Sequence, residues 1–94
     1  MKINSIDHLV IYVHDPDETI AFHSRVLGMN AVTFANKRRN LVLGAQKINL
    51  HKFGERIYPQ AQSPKPGSAD LCFVTETPMS QVVAHLISCG VSTH

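Results

Sequence analysis

Four residues pair metal- or ligand-binding chemistry with strand-like surroundings: His8, Asn49, His51 and Asp70. His8 opens the apolar run Leu9-Val10-Ile11-Tyr12-Val13. An imidazole in such a place is either a core group with its hydrogen bonds met or a ligand held in a dry cup. Asp70 opens a second apolar run, Leu71-Cys72-Phe73-Val74. A first-row divalent ion takes imidazole and carboxylate together. Asp70 could equally cap the end of a loop. Asn49 and His51 alternate with Ile48 and Leu50, so the amide and the imidazole share the polar face of one strand. His23 and His85 fall in helical stretches and read as surface groups, and His14 reads as a turn residue.

The elements that must hold these residues follow from periodicity and turn chemistry. Residues 5–13 alternate as a strand, with Ile6, His8, Val10 and Tyr12 on one face and Leu9, Ile11 and Val13 on the other. Asp15-Pro16-Asp17-Glu18 starts a helix: Asp15 caps it, Pro16 suits its first turn, and Glu18 resembles the acid of a capping box. Gly28 ends it, and Met29 supplies the hydrophobic contact that accompanies such an end. Strands are expected at Ala31–Ala35, Asn40–Leu43 and Lys47–Lys52, joined by turns at Ala35–Arg39 and Gly44–Gln46. Residues 53–69, rich in proline and polar side chains, read as an exposed connection. A strand at Asp70–Thr75 and a helix at Pro78–Cys89 follow, with Thr77 as cap and Gly90 as stop.

The chain repeats itself. Residues 8–29 align with 70–91 without a gap at an offset of 62, matching Leu9 to Leu71, Pro16 to Pro78, His23 to His85 and Gly28 to Gly90. The same offset sets Asp70 at the place of His8. The repeating unit is strand–helix–strand–strand–strand. The expected fold is α+β, built from paired βαβββ modules, with the second module truncated after its helix. Residues 1–58 form the first module, 59–68 the linker and 69–94 the start of the second. A lone unit leaves sheet edges uncovered, which favours self-association.

Composition narrows the function classes. Of 94 residues, 44% are hydrophobic and 17% charged, the range of an ordinary globular domain. A net charge of +2, with Lys37-Arg38-Arg39 as the one basic run, argues against nucleic acid. No apolar run is long enough to cross a bilayer, and the first residues lack the apolar core of a signal peptide. A cytoplasmic location is expected. The two cysteines, Cys72 and Cys89, form no C-x-x-C pair and are expected to behave as small apolar residues.

The stretches IDHLVIYVHDPDETIAFHSRVLGM, KINLHKFG and PGSADLCFVTETPMSQVVAHLISCGV together resemble the vicinal oxygen chelate superfamily, which includes glyoxalase I, fosfomycin-resistance proteins, extradiol dioxygenases and bleomycin-binding proteins. Within it, the last two stretches are similar to the subgroup of glyoxalase domain-containing protein 5 and its bacterial homologues. The resemblance implies paired βαβββ modules around a cup. It also implies a divalent metal ion (Zn, Ni, Mn or Fe) with His8 as a ligand. The family's histidine on the first strand of module two falls at Asp70. An acid that ligates in glyoxalase I falls at Asn49, and the family's final glutamate would lie beyond His94. Implied site residues are therefore His8 and Asp70 for the metal, and Asn49, His51, Tyr12 and Cys72 for a substrate pocket. The implied activity is that of a metal-dependent lyase, isomerase or dioxygenase acting on a small oxygen-chelating molecule. The alternative is a non-catalytic protein of the bleomycin-resistance type that sequesters a small molecule. Neither implies a membrane partner, and relatives suggest a homodimer.

Overall fold

The structure, a computed structural model, describes residues 1–33, 38–55 and 60–92. It begins with strand His8–Val13 (β1), helix Pro16–Arg25 (α1), and strands Asn30–Thr33 (β2), Arg39–Leu43 (β3) and Gln46–Lys52 (β4). These are the βαβββ unit expected from the sequence. The far end of the expected strand Ala31–Ala35 and most of the turn after it lie outside the described residues.

Local chemistry sets each boundary. The Asp15 carboxylate accepts from the amides of Asp17 and Glu18 at 3.0 and 3.2 Å, satisfying donors that the first helical turn leaves open. At the other end Gly28 adopts a φ of 70°, which a side chain would resist. This lets the Met29 amide turn back to the His23 carbonyl at 3.1 Å.

The sheet runs in the order β1-β4-β3-β2, with β1 parallel to β4 and the other pairs antiparallel. The α1 connection makes the parallel pairing possible, since such a pair needs a crossover. Leu41, Ile48, Leu50 and Met29 form the buried core, and Ile11, Val13, Ile20 and Leu43 pack against it. Leu41 is wholly inaccessible to solvent. Arg39 reaches from β3 to Asp17 in the first turn of α1, tying helix to sheet.

Register then fixes the opposite face. β1 pairs Val10 with Asn49 and Tyr12 with His51, and β3 pairs Asn40 with Asn49. With Ile11, Val13, Ile48 and Leu50 turned to the core, alternation puts His8, Val10, Tyr12, Asn40, Asn49 and His51 together on the other side.

The second half departs from expectation. Asp70–Thr75 belongs to no strand, although its sequence alternates well. A strand is completed by its neighbour's N–H and C=O groups. In the first module that neighbour is the module's own last strand, β4, whereas no described strand pairs with residues 70–75. The expected second helix, Met79–Ser88 (α2), is present. Its cap differs from the one expected. Pro78, which has no side-chain acceptor, stands at the N-cap, and the Thr77 amide donates to Thr75 Oγ1 at 3.2 Å. Gly90, with a φ of 76°, ends the helix as expected.

The two helices meet at their C-termini and cap each other. The Arg25 guanidinium donates to the carbonyl of Cys89, the C-cap of α2, at 3.3 Å. The His85 ring, through Nε2, donates to the carbonyl of Val26, the C-cap of α1, at 2.7 Å. His85 is thus a bridge between the halves and not merely the surface group its helical position suggested. Donors at these ends also meet the negative pole of the helix dipole. No described helix is long and apolar enough to cross a membrane.

Candidate functional site

The polar face of the sheet concentrates the residues whose chemistry could bind. Tyr12 is buried there, its ring edge-on to His51 with centroids 5.2 Å apart. The Tyr12 hydroxyl donates to Gln60 Oε1 at 3.0 Å. This bond brings the connection back over the sheet, where Gln60, Ala61, Pro64 and Ser68 close a cavity of about 270 Å³ against Val10 and Tyr12.

Two polar atoms on this face are buried without a partner among the described residues: Asn40 Oδ1 and His51 Nδ1. Asn40 is 4% exposed. Leaving such a group unpaired costs about 1–3 kcal/mol, so a hydrogen-bonding partner beside either atom, a water included, would be stabilising. They lie on adjacent strands, with Asn40 opposite Asn49 and His51 two residues beyond it. Burial holds the His51 pKa below its ordinary 6.5, Arg38 lowers it further, and Glu55 opposes them. His51 is therefore a neutral imidazole near pH 7, able to donate or accept.

His8 stands at the outer end of the same face, paired in register with Lys47. Its Nδ1 donates to Asp7 Oδ2 at 2.8 Å. That bond, with help from the Lys47 charge, holds the Asp7 carboxyl below its ordinary 3.8. Asp70 lies on an exposed segment that passes the start of β1. Ser68, before it, lines the Tyr12 cavity, while Leu71, Cys72 and Phe73, after it, line a small cavity with Ile6, Leu9 and Ile48. Cys72 thus sits among core-side residues and apart from Tyr12, Asn49 and His51.

The chain can be placed among known proteins on this fold. A family model described as Glyoxalase/Bleomycin resistance protein/Dioxygenase superfamily matches residues 5–88. The chain belongs to that superfamily. Among its members, virulence protein STM3117 of Salmonella typhimurium is 51% identical over 92 residues, covering 98% of this chain and 64% of its own length. Its crystal structure superposes with a TM-score of 0.94 over 98% of this chain and 73% of that one. Glyoxalase domain-containing protein RDO1 of Mycosarcoma maydis is 46% identical over 91 residues, covering 97% of this chain and 51% of its own. The chain therefore spans about half to two thirds of the curated relatives it matches. Lactoylglutathione lyase from Agrobacterium tumefaciens shares the fold, with a TM-score of 0.75 at 16% identity over 98% of this chain and 75% of that one.

Superfamily members often use divalent metals, which need several converging donors. One imidazole, His8, has Nδ1 engaged and Nε2 left to carry the lone pair. One carboxylate, Asp70, lies on the segment between Ser68 and Leu71. Among the described residues no three His, Cys, Asp or Glu side chains gather in a way that could hold a metal ion. A metal centre ordinarily takes three or four protein ligands, and the described donors do not make one up. Three contributors escaped the sequence pattern: Asn40, Gln60 and Asp7. Only Asp7, adjacent to His8, carried a signal that could have been read.

Proposed function

We propose that the polar sheet face is the small-molecule site of this superfamily member, acting with a divalent metal held in part by His8 and Asp70. The observation that carries it is the pair of buried, unpartnered atoms, Asn40 Oδ1 and His51 Nδ1, on the face that His8 also occupies. Asn40 would accept from a ligand hydroxyl or amide, and neutral His51 would bond a second polar atom. Tyr12, fixed by Gln60, would form the apolar wall and exclude water from one side. Asn49, between Val10 and Asn40 in register, would orient the ligand. Bound beside these groups, a divalent ion would polarise ligand oxygens and stabilise an enolate or alkoxide. That is the chemistry of a lyase, isomerase or dioxygenase of glyoxalase type. A second copy of the chain is the expected partner, since β1 leaves one sheet edge open.

Zinc binding by calorimetry, alone and with acetohydroxamate as a bidentate oxygen probe, tests this. One zinc per chain, lost in His8→Ala, is expected, with acetohydroxamate binding only the zinc-loaded protein and weakened in Asn40→Leu. Zinc binding unchanged by His8→Ala would contradict it.

The lack of a three-donor cluster among the described residues, with Asn49 where a relative carries an acid, favours one other function: sequestration of an organic ligand without metal. Ligand binding by chelator-treated protein, undiminished by His8→Ala and reduced by Asn40→Leu, would select it.

A further inference from the structure

The polar face of the sheet changes character from one side to the other, and register lays it out in rows. Tyr12 of β1 stands beside His51 of β4. Beyond His51, one step outward from the Arg39–Leu50 pair, comes Arg38, the residue before β3. In the next row Val10, Asn49 and Asn40 lie side by side. Arg39 turns to Asp17 on α1, so alternation puts Arg38 on the face of Asn40. Neighbouring strands lie about 4.8 Å apart. About 10 Å of sheet therefore separates an apolar border, Val10 and Tyr12, from a border made of a cation and an amide, Arg38 and Asn40.

Arg38 is exposed, and among the described residues no carboxylate lies within ion-pair distance of it. An exposed arginine alone is an ordinary solvated group. Its neighbours set this one apart. Asn40 is 4% exposed, and its Oδ1 has no partner among the described residues. His51 Nδ1 is buried and unpartnered in the same way. Burial chiefly holds the His51 pKa down, the Arg38 charge adds to it, and Glu55 opposes both. The neutral ring can donate from Nδ1. Lys47, also on this face, already acts on the Asp7 carboxylate.

Each group asks for a different part of a ligand. A guanidinium takes a carboxylate. An amide oxygen only accepts, so Asn40 Oδ1 needs an O–H or N–H. The Val10–Tyr12 border, beside its cavity of about 270 Å³, takes an apolar chain.

We propose that the ligand of this face is a small apolar acid with a hydroxyl beside its carboxylate. The carboxylate pairs with Arg38 and accepts from His51 Nδ1, the hydroxyl donates to Asn40 Oδ1, and the alkyl end lies on Val10 and Tyr12. This rests on the reading of the polar face as the ligand site, whether or not a metal is bound there.

Amide NMR titrations of the chelator-treated 94-residue chain test it. The matched probes are 2-hydroxy-4-methylpentanoate, its primary amide, and 4-methylpentanoate. The hydroxy acid is expected to bind about tenfold more tightly than either of the others, as one well-made hydrogen bond in a dry site predicts. Arg38→Gln, at an exposed position, should weaken the hydroxy acid about tenfold and leave the amide unchanged. Equal affinity for hydroxy acid and amide, or a preference that survives Arg38→Gln, overturns the carboxylate's pairing with Arg38. Equal affinity for the hydroxy acid and 4-methylpentanoate overturns the hydroxyl's role at Asn40. In both cases, shifted amides at Asn40, Asn49 and His51 leave the ligand-site reading standing. If none of the probes moves those amides, the site itself falls, and the ligand class with it.

Discussion

The two copies of the repeat start from similar sequences and reach different structures. Residues 8–52 form a helix and a four-stranded sheet around a closed core of Met29, Leu41, Ile48 and Leu50. Residues 70–91 form a helix and an extended segment, with no buried residue on α2. The apolar residues are present in both: Leu71, Phe73, Met79, Val83 and Ile87 remain exposed. The lesson is that apolar pattern specifies which face a segment would bury, while burial itself depends on a partner. The first copy finds its partner within 45 residues; the second meets the first through Val82 and Leu86 near Val26, Met29 and Leu43, and through two hydrogen bonds at helix ends, Arg25 to Cys89 and His85 to Val26.

Four experiments bear on that contrast. Leu41→Ala should destabilise the chain by about 3 kcal/mol in urea denaturation, because it leaves a cavity in a fully buried core. Val82→Ala, on the half-buried face of α2, should cost about 1 kcal/mol or less. Equal costs would mean that α2 is as integral as the sheet. His85→Ala removes the bond to Val26 and should speed amide exchange in α2 by about fivefold, as loss of about 1 kcal/mol predicts, while β3 and β4 are unaffected. Exchange rising equally in the sheet would show the halves to be one cooperative unit. Helix caps sharpen the contrast further. Asp15→Ala should cost about 1 kcal/mol, since two amides lose their acceptor, whereas Thr77→Ala should stay within about 0.5 kcal/mol.

The smallest effect concerns pH. The His51 pKa lies below 6.5 in the folded chain, chiefly through burial. The unfolded chain therefore takes up this proton first as pH falls, and the contribution is unfavourable to folding below about pH 6.5, growing until the folded pKa is passed. Above pH 6.5 the neutral ring carries no such penalty. His51→Gln should flatten the fall of Tm with acid in that window; an unchanged slope would place the titrating group elsewhere.

Legibility in the sequence follows the same division. β1, α1, β3 and β4 were readable because alternation, the Asp15 cap and the Gly28 stop are local signals that agree with their tertiary setting. The faces of Tyr12, Asn49 and His51 followed from period alone. Asp70–Thr75 alternates like a strand yet joins no sheet: alternation is blind to whether a neighbour exists. Thr77 has the residue type of a cap, but the helix begins one residue later, with Pro78 at the N-cap. His85 looked solvent-facing on its helix, and only the meeting of two helix ends gave it a partner. Asn40 left no mark: between Arg39 and Leu41 it reads as an ordinary outward residue, yet it is buried.

The site is tested most directly by anomalous diffraction from zinc-soaked crystals of the chain. Expected is a single strong peak within about 2.0–2.2 Å of His8 Nε2 and of an Asp70 oxygen, on the side of the sheet that carries Asn49 and His51. A peak only elsewhere, or His8 and Asp70 too far apart to share one ion in any assembly, would contradict the proposed centre.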